Sequence, residues 1–207
     1  LPFKTLDDFE YIGLINEVPM TLIGKPSLPA SNYAELGKWL DANKGKINLA
    51  NAGLGAASHL CGLLFQSALK IEMTTIPYKG TGPAMTDLLG GSIQAISAPV
   101  TAFIPNIQSG KLVALAVTSK KRFAGLPNVP TAQELGVNME ATVWFAIVGP
   151  VGMPKAIVDR LNQEINNYTS SPDGQARLNQ FGMVEVRGGP ELLGTLMRSE
   201  AAKWKQV

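Results

Sequence analysis

The chain has 207 residues, a formal net charge of +2 and a hydrophobic share of 45%, which excludes disorder and leaves room for one large domain or two small ones. Charged residues are 16%, under the roughly 25% of ordinary soluble domains. The densest basic run, Lys120-Lys121-Arg122, reads as a solvated loop and not as a stripe that tracks a phosphate backbone, so no nucleic-acid partner is expected. Cys61 is the only cysteine and His59 the only histidine, which leaves no disulfide, no zinc site and no expected metal or cofactor. No apolar run approaches the ~18 residues of a membrane span. The start at Leu1-Pro2-Phe3, without methionine or a basic leader, reads as a beginning removed by processing or truncation.

Taken in chain order, 11–15 and 20–24 read as two short buried strands interrupted at Glu17-Val18-Pro19. After the breaker Lys25-Pro26-Ser27-Leu28-Pro29, Asn32 and Glu35 form a capping box for a helix with Leu36, Trp39 and Leu40 on one face, ending near Lys44-Gly45-Lys46. Strand-like and helix-like runs then alternate at 47–50, 58–69, 73–77, 83–89, 93–97, 100–108 and 112–118, the pattern of right-handed βαβ crossovers and a parallel sheet. Leu60, Cys61, Leu64, Phe65 and Ala68 make an apolar stripe, with Cys61 in the core. The helix at Pro83 has Thr81-Gly82 in front for a cap and closes at Gly90-Gly91. Thr131 with Glu134 predicts a second capping box, for a short helix closing at Gly136. A strand follows at 143–148, where Trp144-Phe145 reads as core. The rest is helical, with Ile157, Val158, Leu161 and Ile165 on one face, then helices at 175–181 and 190–205.

The turn Asn51-Ala52-Gly53-Leu54-Gly55-Ala56-Ala57-Ser58 lies between a strand and a helix, where free amides and the positive end of the helix dipole hold an anion. The candidate ligand contacts are Asn51, Ala52, Gly53, Leu54, Gly55, Ala56 and Ser58, with Tyr78 and Lys79 at the mouth; the bland alternative is a tight turn without a ligand. Gly53 and Gly55 begin a dinucleotide fingerprint, but Ser58 stands at its third position and no acid follows the next strand, which argues against NAD. Ser58 and His59 adjoin without a G-x-S-x-G elbow, and helix neighbours point about 100° apart, which argues against a catalytic triad. Ser58 is expected to cap the helix and His59 to bond locally.

Several segments together resemble one family: Lys25-Pro26-Ser27-Leu28-Pro29; Asn51-Ala52-Gly53-x-Gly55-x-x-Ser58-His59-Leu60; Pro77-Tyr78-Lys79-Gly80-x-x-Pro83-Ala84-x-Thr86-Asp87-Leu88-Leu89-Gly90-Gly91; Gly110-Lys111-Leu112-x-Ala114-Leu115-Ala116-Val117-Thr118-Ser119; and Leu126-Pro127-x-Val129-Pro130-Thr131. In this order they look like the Bug-type periplasmic solute receptors of tripartite tricarboxylate transporters, over nearly the whole chain. The resemblance implies an α/β fold, the bilobed type II periplasmic-binding-protein (venus flytrap) architecture with parallel sheets. It assigns 1–19 and 148–207 to what remains of a first lobe and 24–142 to the second, with hinge crossings near 18–24 and 143–148. Family members carry a longer N-terminal part, with a signal peptide and a glycine-rich loop. The implied function is non-enzymatic: a small carboxylate bound in the periplasm for delivery to the transporter's membrane components, the protein itself not inserting in the membrane. Ala98 joins the candidate contacts because the family usually carries an aspartate there. A bilobed ligand-sensing domain of a regulatory system is the alternative, and a small-molecule hydrolase ranks third.

Overall fold

The computed structural model describes residues 2–28, 33–43 and 45–205, apart from the side chains at 33, 34, 36, 37 and 41. The expected cap at Asn32 and the helix end at Lys44 lie outside these residues. The chain falls into two compact units, Leu1–Val18 with Trp144–Val207 and Pro19–Val143.

Strand β1 is a single run, Phe9–Gly24, and not the two short strands expected. Asn16 and Glu17 pair with β7 (Val184–Glu185), whereas residues from Met20 onward pair with β4 (Ala95–Pro99) and β5 (Val113–Val117). Pro19 falls between these two sets of partners, where a missing backbone donor costs little. The proline therefore marks a change of partner within one strand.

In the unit Pro19–Val143 the strand order is β3-β2-β4-β1-β5, with β2 at Asn48–Asn51 and β3 at Thr74–Pro77. β2 is parallel to β3 and to β4, as the crossovers predict, but β1 lies antiparallel between β4 and β5. The expectation of a parallel sheet is corrected here to a mixed one. Local alternation reports the crossovers between β2, β3, β4 and β5, while β1 enters from the other unit and takes its direction from partners distant in sequence. With a neighbour on each side, its buried stretch reads as a continuous apolar run.

The helices cover opposite faces. Helix α1 is Tyr33–Ala42, α2 is Ala57–Leu69 and α3 is Thr81–Gly90. Ala84 and Leu88 of α3 join Ile23, Ala50, Ile93, Ile96, Ala98, Phe103 and Leu112 in one core cluster. On the other face α2 buries Ser58, Cys61, Gly62 and Phe65; of its expected stripe Cys61 and Phe65 are buried and Ala68 is exposed. Gly91 closes α3 at φ 91°, its N–H donating to the carbonyls of Asp87 and Leu88. A 3-10 turn, Val100–Phe103, runs into α4, Ile104–Gln108, and returns the chain to β5. The Thr131–Glu134 box forms reciprocally: the Glu134 N–H donates to Thr131 Oγ1 at 3.0 Å and the Thr131 N–H to Glu134 Oε2 at 2.7 Å. It caps a turn and not the expected helix, because after Gly136 the Val137 N–H folds back to the Ala132 carbonyl.

The other unit carries β6 (Thr142–Pro150), α5 (Lys155–Thr169), α6 (Pro172–Gln180) and α7 (Pro190–Trp204). β6 pairs with β1 alone among the described residues, and Phe145 is 46% exposed while Trp144 is half-buried, so the reading of Phe145 as core is corrected. On α5 the expected stripe is also redirected: Ile157 and Leu161 are exposed, and Val158, Asn162 and Thr169 are buried. The Asn162 amide accounts for the shift, since its Nδ2 donates to the carbonyls of Ile12 (2.9 Å) and Gly188 (3.0 Å). Helix α6 starts earlier than expected, with Ser171 Oγ accepting from the Gly174 N–H and Pro172 in the first turn.

Glu185 ties this unit together. Its carboxylate accepts from Ser170 Oγ, Thr169 Oγ1 and Gln175 Nε2, each at 2.8 Å, and the Ser170 and Thr169 hydroxyls foremost hold it below the usual carboxylate range. A folded pKa below the unfolded value of about 4.3 contributes stability that is complete above that value and is lost as pH falls through the folded pKa. Glu185→Gln is therefore expected to flatten the acid limb of a melting-temperature profile relative to the parent. Parallel profiles below pH 5 would refute it.

Candidate ligand-binding site

Parallel strands β2 and β3 end side by side, and each runs directly into a helix, so α2 and α3 both begin at the carboxyl edge of the sheet. Ligands bind in this position in open α/β sheets. The turn 78–80 is stitched to the loop after β2 by the Tyr78 N–H donating to the Asn51 carbonyl and the Gly80 N–H to the Ala52 carbonyl, both at 3.0 Å. Gly53 has φ 139° and a Cβ there would lie 3.4 Å from the Tyr78 carbonyl oxygen; Gly55 has φ 76° in open space. Both require the conformational freedom of glycine.

Most loop amides are already engaged. The Ala52 N–H donates to Ser58 Oγ (2.9 Å), the Gly53 N–H to Asn51 Oδ1 (2.9 Å), the Gly55 N–H to His59 Nδ1 (3.3 Å) and the Ala56 N–H to the Gly53 carbonyl (3.2 Å). Ser58 is thus not the helix cap. The cap position is Ala56, which has no side-chain bond, and Ser58 lies buried inside the first turn with its oxygen serving the loop. Among the described residues the amides of Leu54, Ala57 and Ser58 donate to nothing. No acidic side chain occupies the first turn of α2, so its positive end is not neutralised locally. Helix α3 starts the same way: Gly80 is its cap in place of the expected Thr81-Gly82, again with no side-chain bond and no acid in the first turn.

The remaining candidates divide. Tyr78 packs on the core cluster and its hydroxyl donates to Asp87 Oδ2 at 2.7 Å, a bond that pushes the phenol pKa up. The hydroxyl is thereby committed to α3. Lys79 is exposed. Ala98 is 1% exposed in the core cluster on the α3 face; its neighbour Ser97 points to the α2 face, because successive residues of a strand alternate. Sequence reasoning passed over Ser97 because β4 reads as one buried run, and passed over the Asp87 contact because only the fold brings it to Tyr78.

The architecture, with the strand order and edge just described, is that of the periplasmic binding proteins. Over residues 1–207 the sequence matches the tripartite tricarboxylate transporter family receptors (TctC), and the chain belongs to that family. Protein BugT of Bordetella pertussis is 33% identical over 208 residues, covering all of this chain and 64% of BugT. MatC from Rhodopseudomonas palustris, solved with bound malate, is 28% identical with a TM-score of 0.85 over 96% of this chain and 69% of MatC. R. palustris Rpa4515, solved with adipate, is 30% identical with a TM-score of 0.89 over 99% of this chain and 69% of that one. The chain spans 54–64% of the length of curated relatives that it matches. Among the described residues no helix is long and apolar enough to cross a membrane.

Proposed function

We propose that this chain is part of a periplasmic receptor that binds a small carboxylate and hands it to the membrane components of a tripartite transporter. The observation that carries this reading is the uncapped start of α2, where the free amides of Leu54, Ala57 and Ser58 meet no acid in the first turn. Each charge-assisted bond from such an amide to a carboxylate contributes about 1.5–3 kcal/mol, and pre-oriented amides need no arginine beside them. The malate in MatC and the adipate in Rpa4515 support a dicarboxylate or a related acid as ligand. Ligand contacts in this reading come from the loop 51–58, while Tyr78 positions the adjoining turn and Lys79 adds long-range attraction. The two units are the receptor's lobes, and the chain crosses between them within β1 and β6.

The role is binding and not turnover. Ser58 Oγ and His59 Nδ1 both accept from loop amides, at 2.9 and 3.3 Å, so neither is arranged as a nucleophile with its base. Isothermal titration of the full-length protein with malate, adipate and their diamides tests the reading. Heat from the acids and none from the diamides is expected; no heat from any small carboxylate would overturn it. Among the described residues no group of three or more His, Cys, Asp or Glu could hold a metal ion, so affinity is expected to survive a strong chelator. A loss of affinity in excess chelator would count against this site.

A further inference from the structure

The chain passes between its two units at Val18 to Pro19 and again at Val143 to Trp144. Just inside the unit Pro19–Val143, one residue is tied to both passages. Thr118 follows β5 directly; its N–H donates to the Met20 carbonyl at 2.9 Å, and its own carbonyl accepts from the Ala141 N–H at 3.0 Å. The hydroxyl adds a second tie, with Oγ1 3.0 Å from the Met20 carbonyl oxygen and 2.5 Å from that of Ala141. A hydroxyl has one proton, so it donates to one carbonyl at a time. Met20 is already served by the Thr118 N–H, and the shorter contact assigns the proton to Ala141. All three residues are buried, where a lost bond is not replaced by one to water.

Thr118 is itself anchored in its unit. The Val117 N–H donates to the Pro130 carbonyl at 2.9 Å, the Val117 carbonyl accepts from the Ala132 N–H at 2.8 Å, and Thr21 Oγ1 donates to the Ala116 carbonyl at 2.7 Å. On the far side of Met20 the strand is held less: pairing of β1 with β7 ends at Glu17, pairing with β4 begins at Met20, and Pro19 between them has no N–H to give. We infer that Thr118 is the pin of the interlobe hinge. It fixes both passages to the unit Pro19–Val143, so bending on ligand closure falls at residues 17–19 and 142–144 and stops at Met20 and Ala141. This rests on the reading of the two units as receptor lobes. Thr118 acts as a positioning residue and touches no ligand. Without its hydroxyl the Ala141 carbonyl loses this donor and the second passage is held to Thr118 by one bond instead of two, so closure has to order that passage as well.

The test uses Thr118→Val and Thr118→Ser in the full-length protein, with titration of malate and adipate, small-angle X-ray scattering with and without each acid, and thermal unfolding. Thr118→Val keeps the branched shape and loses the proton donor; it is expected to bind about three- to tenfold more weakly, the effect of one hydrogen bond, with less compaction on adding ligand. Thr118→Ser keeps the donor and is expected to bind within about twofold of the parent. A lower melting temperature in Thr118→Val with parent-like affinity and compaction overturns the inference, since a merely structural hydroxyl gives that result. Amide hydrogen exchange of the parent tests it without a variant. Ligand is expected to change exchange at residues 17–18 and 142–144 and to leave the Thr118 and Ala141 amides as they were; equal changes at both would run the bend through Thr118 and overturn the inference. A parent that binds neither acid overturns the receptor reading itself, and the two failures are thereby distinct.

Discussion

Valine at position 53 is expected to weaken carboxylate binding roughly ten- to a hundredfold, the effect of about 1–3 kcal/mol of backbone strain. Gly53 sits at φ 139° with its would-be Cβ 3.4 Å from the Tyr78 carbonyl oxygen. The substitution therefore strains the loop and presses on the turn that is stitched to it at Asn51 and Ala52. Gly55, at φ 76° with nothing within 4 Å, meets the strain alone, and Gly55→Val is expected to lose about tenfold. Lys79→Ala, at an exposed side chain, is expected to lose less than either, with the loss shrinking as salt is raised. Calorimetric affinities of the three variants, each first confirmed folded, decide the matter. If both valine variants bind like the parent and Lys79→Ala abolishes binding, the site is a side-chain ion pair and the loop is a plain turn.

Phe103→Ala is expected to cost the unit Pro19–Val143 about 3–5 kcal/mol, as for other fully buried aromatics. Phe103 is 0% exposed and packs in the cluster that joins α3 to β4 and β1. Truncating it opens a cavity that the closely packed Ile96, Ala98 and Leu88 cannot fill without shifting the strand that carries Ser97. Phe145→Ala, at a ring 46% exposed, is the matched control and is expected to cost under about 1 kcal/mol. Denaturant titrations of both variants provide the measurement. Comparable midpoints for the two would mean that the cluster does not hold this unit together.

Much of the unit Pro19–Val143 was legible in the sequence because its signals are local. The alternation of strand-like and helix-like runs marked the crossovers, Gly91 marked the end of α3, and Thr131 with Glu134 marked a reciprocal cap. The family resemblance and the position of the loop 51–58 were legible for the same reason: residue order and short spacings survive in a linear text. The loop's amides were not. Whether an N–H is free depends on where Ser58 Oγ, Asn51 Oδ1 and His59 Nδ1 come to rest, and all three accept from amides of the loop itself.

The sequence by itself determined most of the element types, though not the turn at 131–136 or the continuity of β1, and it determined the strand-to-helix turn with its two glycines at positive φ. Tertiary structure alone decided which partners each strand takes and which face each side chain meets. Proline at 19 reads as a break, yet β1 runs through it, because its partners on either side are supplied by residues far along the chain. Ala98 and Ser97 differ by one position, and only the pairing of β4 with β1 and β2 sends the alanine into the α3 core and the serine to the α2 face. Periodicity reports that a strand has two faces. Which of them lies beneath α2 is a property of contacts between distant segments.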